Sequence, residues 1–355
     1  ISYPILVISG SVQERWNVLQ WTCKQLFTFG YLSVLSHNYP MTSDKHPWHK
    51  LIKDHCAQSD RPLIVVLGPT ASGKTAFSID LAEFLQSECG ASSEVVNADS
   101  RQLYQKLNIG TAKITTEEMQ GVVHHMIDVL DPREEATVGW YQKEAENVID
   151  SILGKGTVPL LVGGSMLYIS AITDGLTLAP PADPDVRKRL EAEYEADAGK
   201  TLHARLTEYN SSIAEKIHQN NMPRLVRAVE IFEINAGDTP REELWKTAEE
   251  TKYDVLILGI QKPREESVVK INNRCKAMFE QGWVEEVKAL VESGYTKEDP
   301  AMKSHGYKEI MQYLVTGEPE SLADLQESIA AKTRQYARRQ MTWWKRDDRI
   351  HWIND

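Results

Sequence analysis

Four short apolar runs punctuate the chain: "LIVVL" at 63–67, "VV" at 95–96 before "NADS", "VPLLV" at 158–162 and "VLILGI" at 255–260. Longer amphipathic stretches separate them. The runs are continuous rather than alternating, so they read as strands covered on both faces, and the stretches between them read as the covering helices. This pattern predicts an α/β protein with a parallel sheet flanked by helices.

The pattern changes in "LTLAPPADPDVRKRLEAEYEADAGK", where Pro180, Pro181 and Pro184 form a joint and a charged helical region follows to about residue 250. After it "DVLILGI" resumes the sheet. The expected organisation is an N-terminal extension at 1–60, a catalytic core from 61–179 and 251–355, and a helical insertion at 180–250. In "EQGWVEEVKALVESGY" the residues Val284, Val287, Leu290 and Val291 share one helix face, with Gly294 as its C-cap. No internal repeat or low-complexity tract occurs.

A net charge of −11 gives no global attraction to nucleic acid, so any such binding must use local basic patches. The four cysteines, Cys23, Cys56, Cys89 and Cys275, form no C-x-x-C pair and meet no His cluster at zinc-ligand spacing. A reduced, cytoplasmic protein without structural zinc or haem is expected. No stretch approaches the roughly 18 apolar residues of a membrane span. The first methionine is Met41, and residues 1–40 carry neither a basic start with an apolar core nor a cleavage site. Natural translation is therefore expected to begin at Met41.

The segment "GPTASGKT", Gly68 to Thr75, follows a strand and precedes a helix, with the spacing of a phosphate-binding loop. Its glycines let backbone N–H groups turn toward phosphate oxygens, Lys74 adds a point charge, and Thr75 can offer its hydroxyl to Mg²⁺. A nucleotide-hydrolysing enzyme usually adds a strand ending in an acidic residue, yet "VPLLVGGSMLY" ends in Gly163 and Gly164. Asp99, at the end of the strand before it, belongs to the same crevice if the sheet is doubly wound. From position alone it is a second Mg²⁺ ligand, a helix N-cap or a general base.

"GPTASGKT", "NADSRQLYQKLNIGTAK", "HHMIDVLDP", "GTVPLLVGGSMLYISAITDGL", "NNMPRLVRAVEIF", "SHGYKEI" and "TRQYARRQMTWWKR" together resemble, in order, the tRNA dimethylallyltransferases, also called tRNA isopentenyltransferases. The resemblance runs from about residue 62 onward. It implies a P-loop NTPase-like core and a loop (Gly68, Pro69, Thr70, Ala71, Ser72, Gly73, Lys74, Thr75) that holds the diphosphate of dimethylallyl diphosphate. The prenyl group would pass to N6 of the adenosine 3′-adjacent to the anticodon while diphosphate leaves. Asp99 then takes the role of base, Thr70 lies near the reacting centre, Thr75 carries Mg²⁺, and Arg227, ahead of Arg224, contacts the diphosphate.

For tRNA the resemblance implies Asp99, Ser100, Arg101 and Gln102, then Ser165 and Arg187. It adds Pro223, Arg224, Leu225, Val226 and Arg227, and then Lys303, Ser304, His305, Gly306, Tyr307 and Lys308. Gln102 can bond a base edge, and His305 or Tyr307 can stack on one. The tail bears Lys332, Arg334, Arg338, Arg339, Lys345 and Arg346 without an acid among them, a pattern that reads as an RNA-backbone face. Trp343 and Trp344 are expected to close the core, and the insertion, with Arg187, Lys188 and Arg189 near its start, to clamp the anticodon stem-loop. The chain resembles the compact bacterial type, without a zinc finger and monomeric. Rival readings are a prenyltransferase acting on free AMP or ATP, a small-molecule kinase, and an RNA-binding protein that keeps only the scaffold.

Overall fold

All four apolar runs fall in one parallel sheet. The computed structural model describes residues 46–176, 182–234 and 251–354, so Met41, Cys23, Pro180 and Pro181 lie outside the described residues. Among these the strands are β1 (Pro62–Leu67), β2 (Ser93–Ala98), β3 (His124–His125), β4 (Val158–Gly163), β5 (Asp254–Gln261) and β6 (Ile350–Asn354), in the order β3-β2-β4-β1-β5-β6. Every pairing is parallel. The two edge strands, β3 and β6, are additions to the sequence expectation.

Alternate residues of each central strand enter opposite cores, the period of two that a pleated strand imposes. Leu63, Val65, Val96 and Leu161 face one side, where helices α4 (Val138–Gly154) and α5 (Met166–Thr173) pack. Helices α10 (Arg264–Glu280), α11 (Trp283–Glu292), α12 (Tyr307–Thr316) and α13 (Leu322–Trp344) contribute to the same core. Ile64, Val66, Leu160 and Leu258 face the other side, against α1 (Pro47–Gln58) and α2 (Lys74–Glu88). The core thus extends upstream of residue 61, because Trp48 and Ile52 of α1 are buried in it. A four-residue helix, α3 (Thr116–Met119), caps the approach to β3.

Within 182–234 lie α6 (Pro184–Asp197), α7 (Lys200–Tyr209), α8 (Ser211–Ala214) and α9 (Met222–Ile234). They enclose their own apolar cluster around Leu190, Leu202, Leu206, Leu225 and Val229. Asp183 starts α6 by accepting the N–H groups of Asp185 and Val186, with Pro184 in the first turn where its missing N–H costs nothing.

In α11, Val287 and Leu290 are buried as the spacing requires, whereas Val291 is 39% exposed. Gly294 adopts φ +84° just past the helix and donates its N–H to Val291 O, the left-handed close expected of it. The tail tryptophans divide: Trp344 is buried, but Trp343 stands 42% exposed.

Candidate active site

Register alone brings three chain segments to one point. Leu67 pairs with Gly163, and Gly163 pairs with Ala98, so the phosphate-binding loop, Gly164 and Asp99 all leave the sheet side by side at its carboxyl edge. The contact is close: a Cβ on Gly163 would sit 2.2 Å from Ala98 O. This explains why no acidic side chain ends β4, since the neighbouring backbone occupies that space.

The loop itself turns on Gly73, φ +97°, immediately before α2. Lys74 Nζ donates to Pro69 O at 2.9 Å across the loop. Burial lowers the Lys74 pKa to about 8, with Asp99 pulling it back up and Arg274 pushing it further down. Ser78 Oγ donates to Thr75 O at 2.7 Å and stiffens the first turn of α2.

Two cavities open here. A small one of about 50 Å³ is lined by Lys74, Thr75, Asn97, Asp99, Gln102 and His124. A larger one of about 630 Å³ is lined by Thr70, Asp99, Ser100, Arg101 and a group of cations from α10, α12 and α13. Asp99 is the residue common to both. Its backbone N–H donates to Asn97 Oδ1 at 3.0 Å and its Oδ1 accepts the Arg101 N–H at 2.9 Å, which fixes the carboxylate at the end of β2. Part of the capping role therefore exists, though it caps a turn and not a helix.

Arg274 of α10 is the cation that sequence reasoning missed. It lines the large cavity, and burial lowers its pKa while Asp99 supports its charge. Arg227 stands elsewhere, on α9, donating to Glu230 Oε2 at 2.6 Å. Arg187 donates to the same oxygen at 2.8 Å, so the two insertion arginines converge on one fully buried carboxylate. The arginine beside Asp99 and Lys74 is thus Arg274, while Arg227, expected at the diphosphate, is paired with Glu230 in the insertion.

Several of the residues expected at the tRNA serve the fold as well. Leu225 and Val226 are buried in the insertion core, whereas Pro223 and Arg224 are exposed. Gln102 spends its amide on Thr111 O and Ala112 O, at 3.2 and 3.0 Å, and faces the small cavity. Ser165 is buried, and its Oγ accepts the Ser100 N–H at 2.9 Å. Ser304, Gly306 and Tyr307 point inward: Tyr307 is fully buried against Trp283, and its hydroxyl donates to Glu286 at 2.5 Å, too deep to stack on a base.

Lys303, His305 and Lys308 do face the large cavity, together with Lys332 and Arg339 of α13. Glu309 organises this wall. Burial alone would raise its pKa, but hydrogen bonds from His305, Lys332 and Gly306 N–H hold it far below the ordinary carboxylate range. Arg334 faces away, bonded to Asn272 and Glu327, so the tail's cations do not form one face. Among the described residues, no group of three or more His, Cys, Asp or Glu gathers at metal-binding spacing, and no helix is long and apolar enough to cross a membrane.

A family model described as IPP transferase matches residues 102–347. A tRNA dimethylallyltransferase of Geobacter sulfurreducens is 39% identical over 84% of this chain and 93% of its own. One from Thermobifida fusca is 42% identical over 82% and 89% respectively. Among solved structures, the tRNA isopentenylpyrophosphate transferase of Bacillus halodurans superposes with TM-score 0.60 at 34% identity, covering 83% of this chain and 90% of that one. A eukaryotic dimethylallyltransferase acting on tRNA gives TM-score 0.66 at 25% identity, covering 83% and 74%.

Proposed function

The chain belongs to the tRNA dimethylallyltransferase (IPP transferase) family, and from that premise we propose how its residues divide the work of prenylating tRNA. The donor is dimethylallyl diphosphate, its diphosphate held by the loop Gly68 to Thr75. The acceptor is N6 of the adenosine 3′-adjacent to the anticodon, presented through the large basic cavity. The observation that carries this assignment is that Asp99 borders both cavities, at the place where donor and acceptor must meet.

An exocyclic adenine amine is a weak nucleophile because its lone pair is delocalised into the ring. As its nitrogen bonds to the allylic carbon, the carbon–oxygen bond to diphosphate breaks and one N6 proton passes to Asp99. Negative charge builds on the departing diphosphate, where Lys74, Arg274 and the N–H groups of the loop stabilise it. Thr75 and Asp99, which both line the small cavity, suit Mg²⁺, which keeps waters and prefers phosphate oxygens to an all-protein cage; bound there it would supply further charge to the leaving group. Lys303, His305, Lys308, Lys332 and Arg339 provide the surface for the anticodon loop, and an unpaired loop base is the cheapest to extrude. The insertion, with Arg187 and Arg224, closes on the stem.

The test is single-turnover transfer of label from dimethylallyl diphosphate to unmodified tRNA, with AMP in parallel, comparing wild type with Asp99→Ala. Label enters tRNA with wild type, and the rate falls by about 10²- to 10⁴-fold in the variant. Label entering AMP alone would overturn the assignment of the acceptor, and an unimpaired variant would overturn that of the base.

A further inference from the structure

We propose that Gln340 is a positioning residue for prenyl transfer, through which helix α13 sets the phosphate-binding loop and the Asp99 loop in one geometry. The assignment rests on the roles of Thr70 and Asp99 given above. Gln340 is 2% exposed, one residue beyond Arg339 on the helix that forms a wall of the large cavity. Its Oε1 accepts the Thr70 N–H at 3.0 Å, and its Nε2 donates to Gly164 O at 2.7 Å. Rotating the amide by half a turn would set a donor against the Thr70 N–H and an acceptor against the Gly164 carbonyl, so both contacts enforce one orientation.

The consequence reaches both reacting partners. With its N–H committed to protein, Thr70 borders the large cavity, while Lys74 and Thr75 border the small one. Gly164 precedes Ser165, whose N–H donates to Ala98 O at 3.0 Å and whose Oγ accepts the Ser100 N–H at 2.9 Å. One buried amide therefore spans the diphosphate loop and, through two residues, the loop that carries the base. The fit leaves no slack: a Cβ on Gly164 would meet Gln340 Nε2 at 2.6 Å. Because Lys332 and Arg339 sit on the same rigid helix, RNA bound to them is registered onto the reacting centre by this contact. A residue that sets geometry acts on the transfer step far more than on either substrate's affinity.

The experiment compares wild type, Gln340→Met, Gln340→Ala, Gly164→Ala and the Gln340→Ala/Gly164→Ala double variant. Read-outs are thermal midpoint, equilibrium binding of dimethylallyl diphosphate, and the single-turnover rate at saturating tRNA. Gln340→Met keeps the length and loses the amide; it is expected to bind dimethylallyl diphosphate within threefold of wild type but to transfer about 10- to 100-fold more slowly. Gly164→Ala displaces the same amide and slows transfer alike, while the double variant is no slower than Gln340→Ala, because both changes remove one contact. A Gln340→Met rate within threefold of wild type overturns the proposal. So do losses that multiply in the double variant, or a binding loss as large as the rate loss. If Gln340→Met does not fold, the Gly164 cycle decides alone. Absence of transfer by wild type would instead overturn the reading of the site on which the assignment rests.

Discussion

At Lys74, burial works against the ammonium and Asp99 works for it, and burial wins, bringing the pKa to about 8. A bound diphosphate adds negative charge and must raise that value, so binding takes up a proton above pH 8. Affinity for dimethylallyl diphosphate is therefore expected to be flat below about pH 7 and to weaken as pH rises through 8, approaching tenfold per pH unit. The sign for folding is opposite: from pH 8 to the ordinary lysine range the unfolded chain binds more protons here, so stability gains. Isothermal titration across pH 6.5–9.5 checks the first point, and Lys74→Met should remove the slope. The neighbouring arginine yields a sharper contrast. Arg274→Gln is expected to slow transfer by about 10²-fold or more by removing charge at the leaving group, whereas Arg227→Gln changes the KM for tRNA and leaves the chemical step within a few-fold. Equal defects in both would restore Arg227 to the diphosphate. The placement of Asp99 and of the loop was legible because its signal is local, in a strand end and a spacing. Arg274 was not, since "KINNRCKAMFE" is an ordinary charged helix until tertiary packing turns one residue toward Asp99.

At the scale of elements, strands covered on both faces announce themselves as apolar runs, and β1, β2, β4 and β5 were legible for that reason. β3 is two histidines long and β6 pairs on one side only, so neither carries that signal. Helix faces were legible in outline, but which residues of a motif turn inward was not: in "KSHGYKEI", Lys303 and Lys308 are exposed while Tyr307 fills the core beside Trp283. Likewise the spacing of Arg224 and Arg227 places them near one another on α9, yet only the buried Glu230 shows that Arg227 is paired with a carboxylate. Glu230 also accepts the Asp183 N–H at 3.1 Å, tying the start of α6 to α9. Glu230→Gln should therefore loosen the insertion as a unit. With both arginines a quarter to a third exposed, solvent screens what is lost, and about 2 kcal/mol is expected, below the cost of breaking a fully buried pair. Denaturant unfolding measures it, and dimethylallyl diphosphate binding should stay unchanged. A variant as stable as wild type would mean the two arginines find equivalent solvation without their partner.

For the whole molecule, a net charge of −11 and a polyanionic substrate oppose each other. The resolution is one of distance. At about 0.1 M salt, charges beyond roughly 10 Å are largely screened, so the acidic remainder of the surface fades while Lys303, Lys308, Lys332 and Arg339, which line one cavity and are the proposed RNA contacts, act at contact range. Attraction at contact depends on releasing counterions from the RNA and weakens with salt. The KM for tRNA is accordingly expected to rise with salt between about 50 and 300 mM, with a log–log slope of a few, near 0.7 to 0.9 for each phosphate neutralised. The KM for dimethylallyl diphosphate, whose proposed contacts are the loop N–H groups and Lys74 on the far side of Asp99, should rise less steeply. Lys303→Ala/Lys308→Ala removes two exposed cations that lie outside the core, and it should lower the tRNA slope by about 1.5 without altering the slope for the donor. Steady-state kinetics over that salt range with both proteins provide the comparison. An unchanged tRNA slope in the double variant would mean that the anticodon loop enters by another face, and that the cation-lined wall serves only to hold Glu309 and its helix in place.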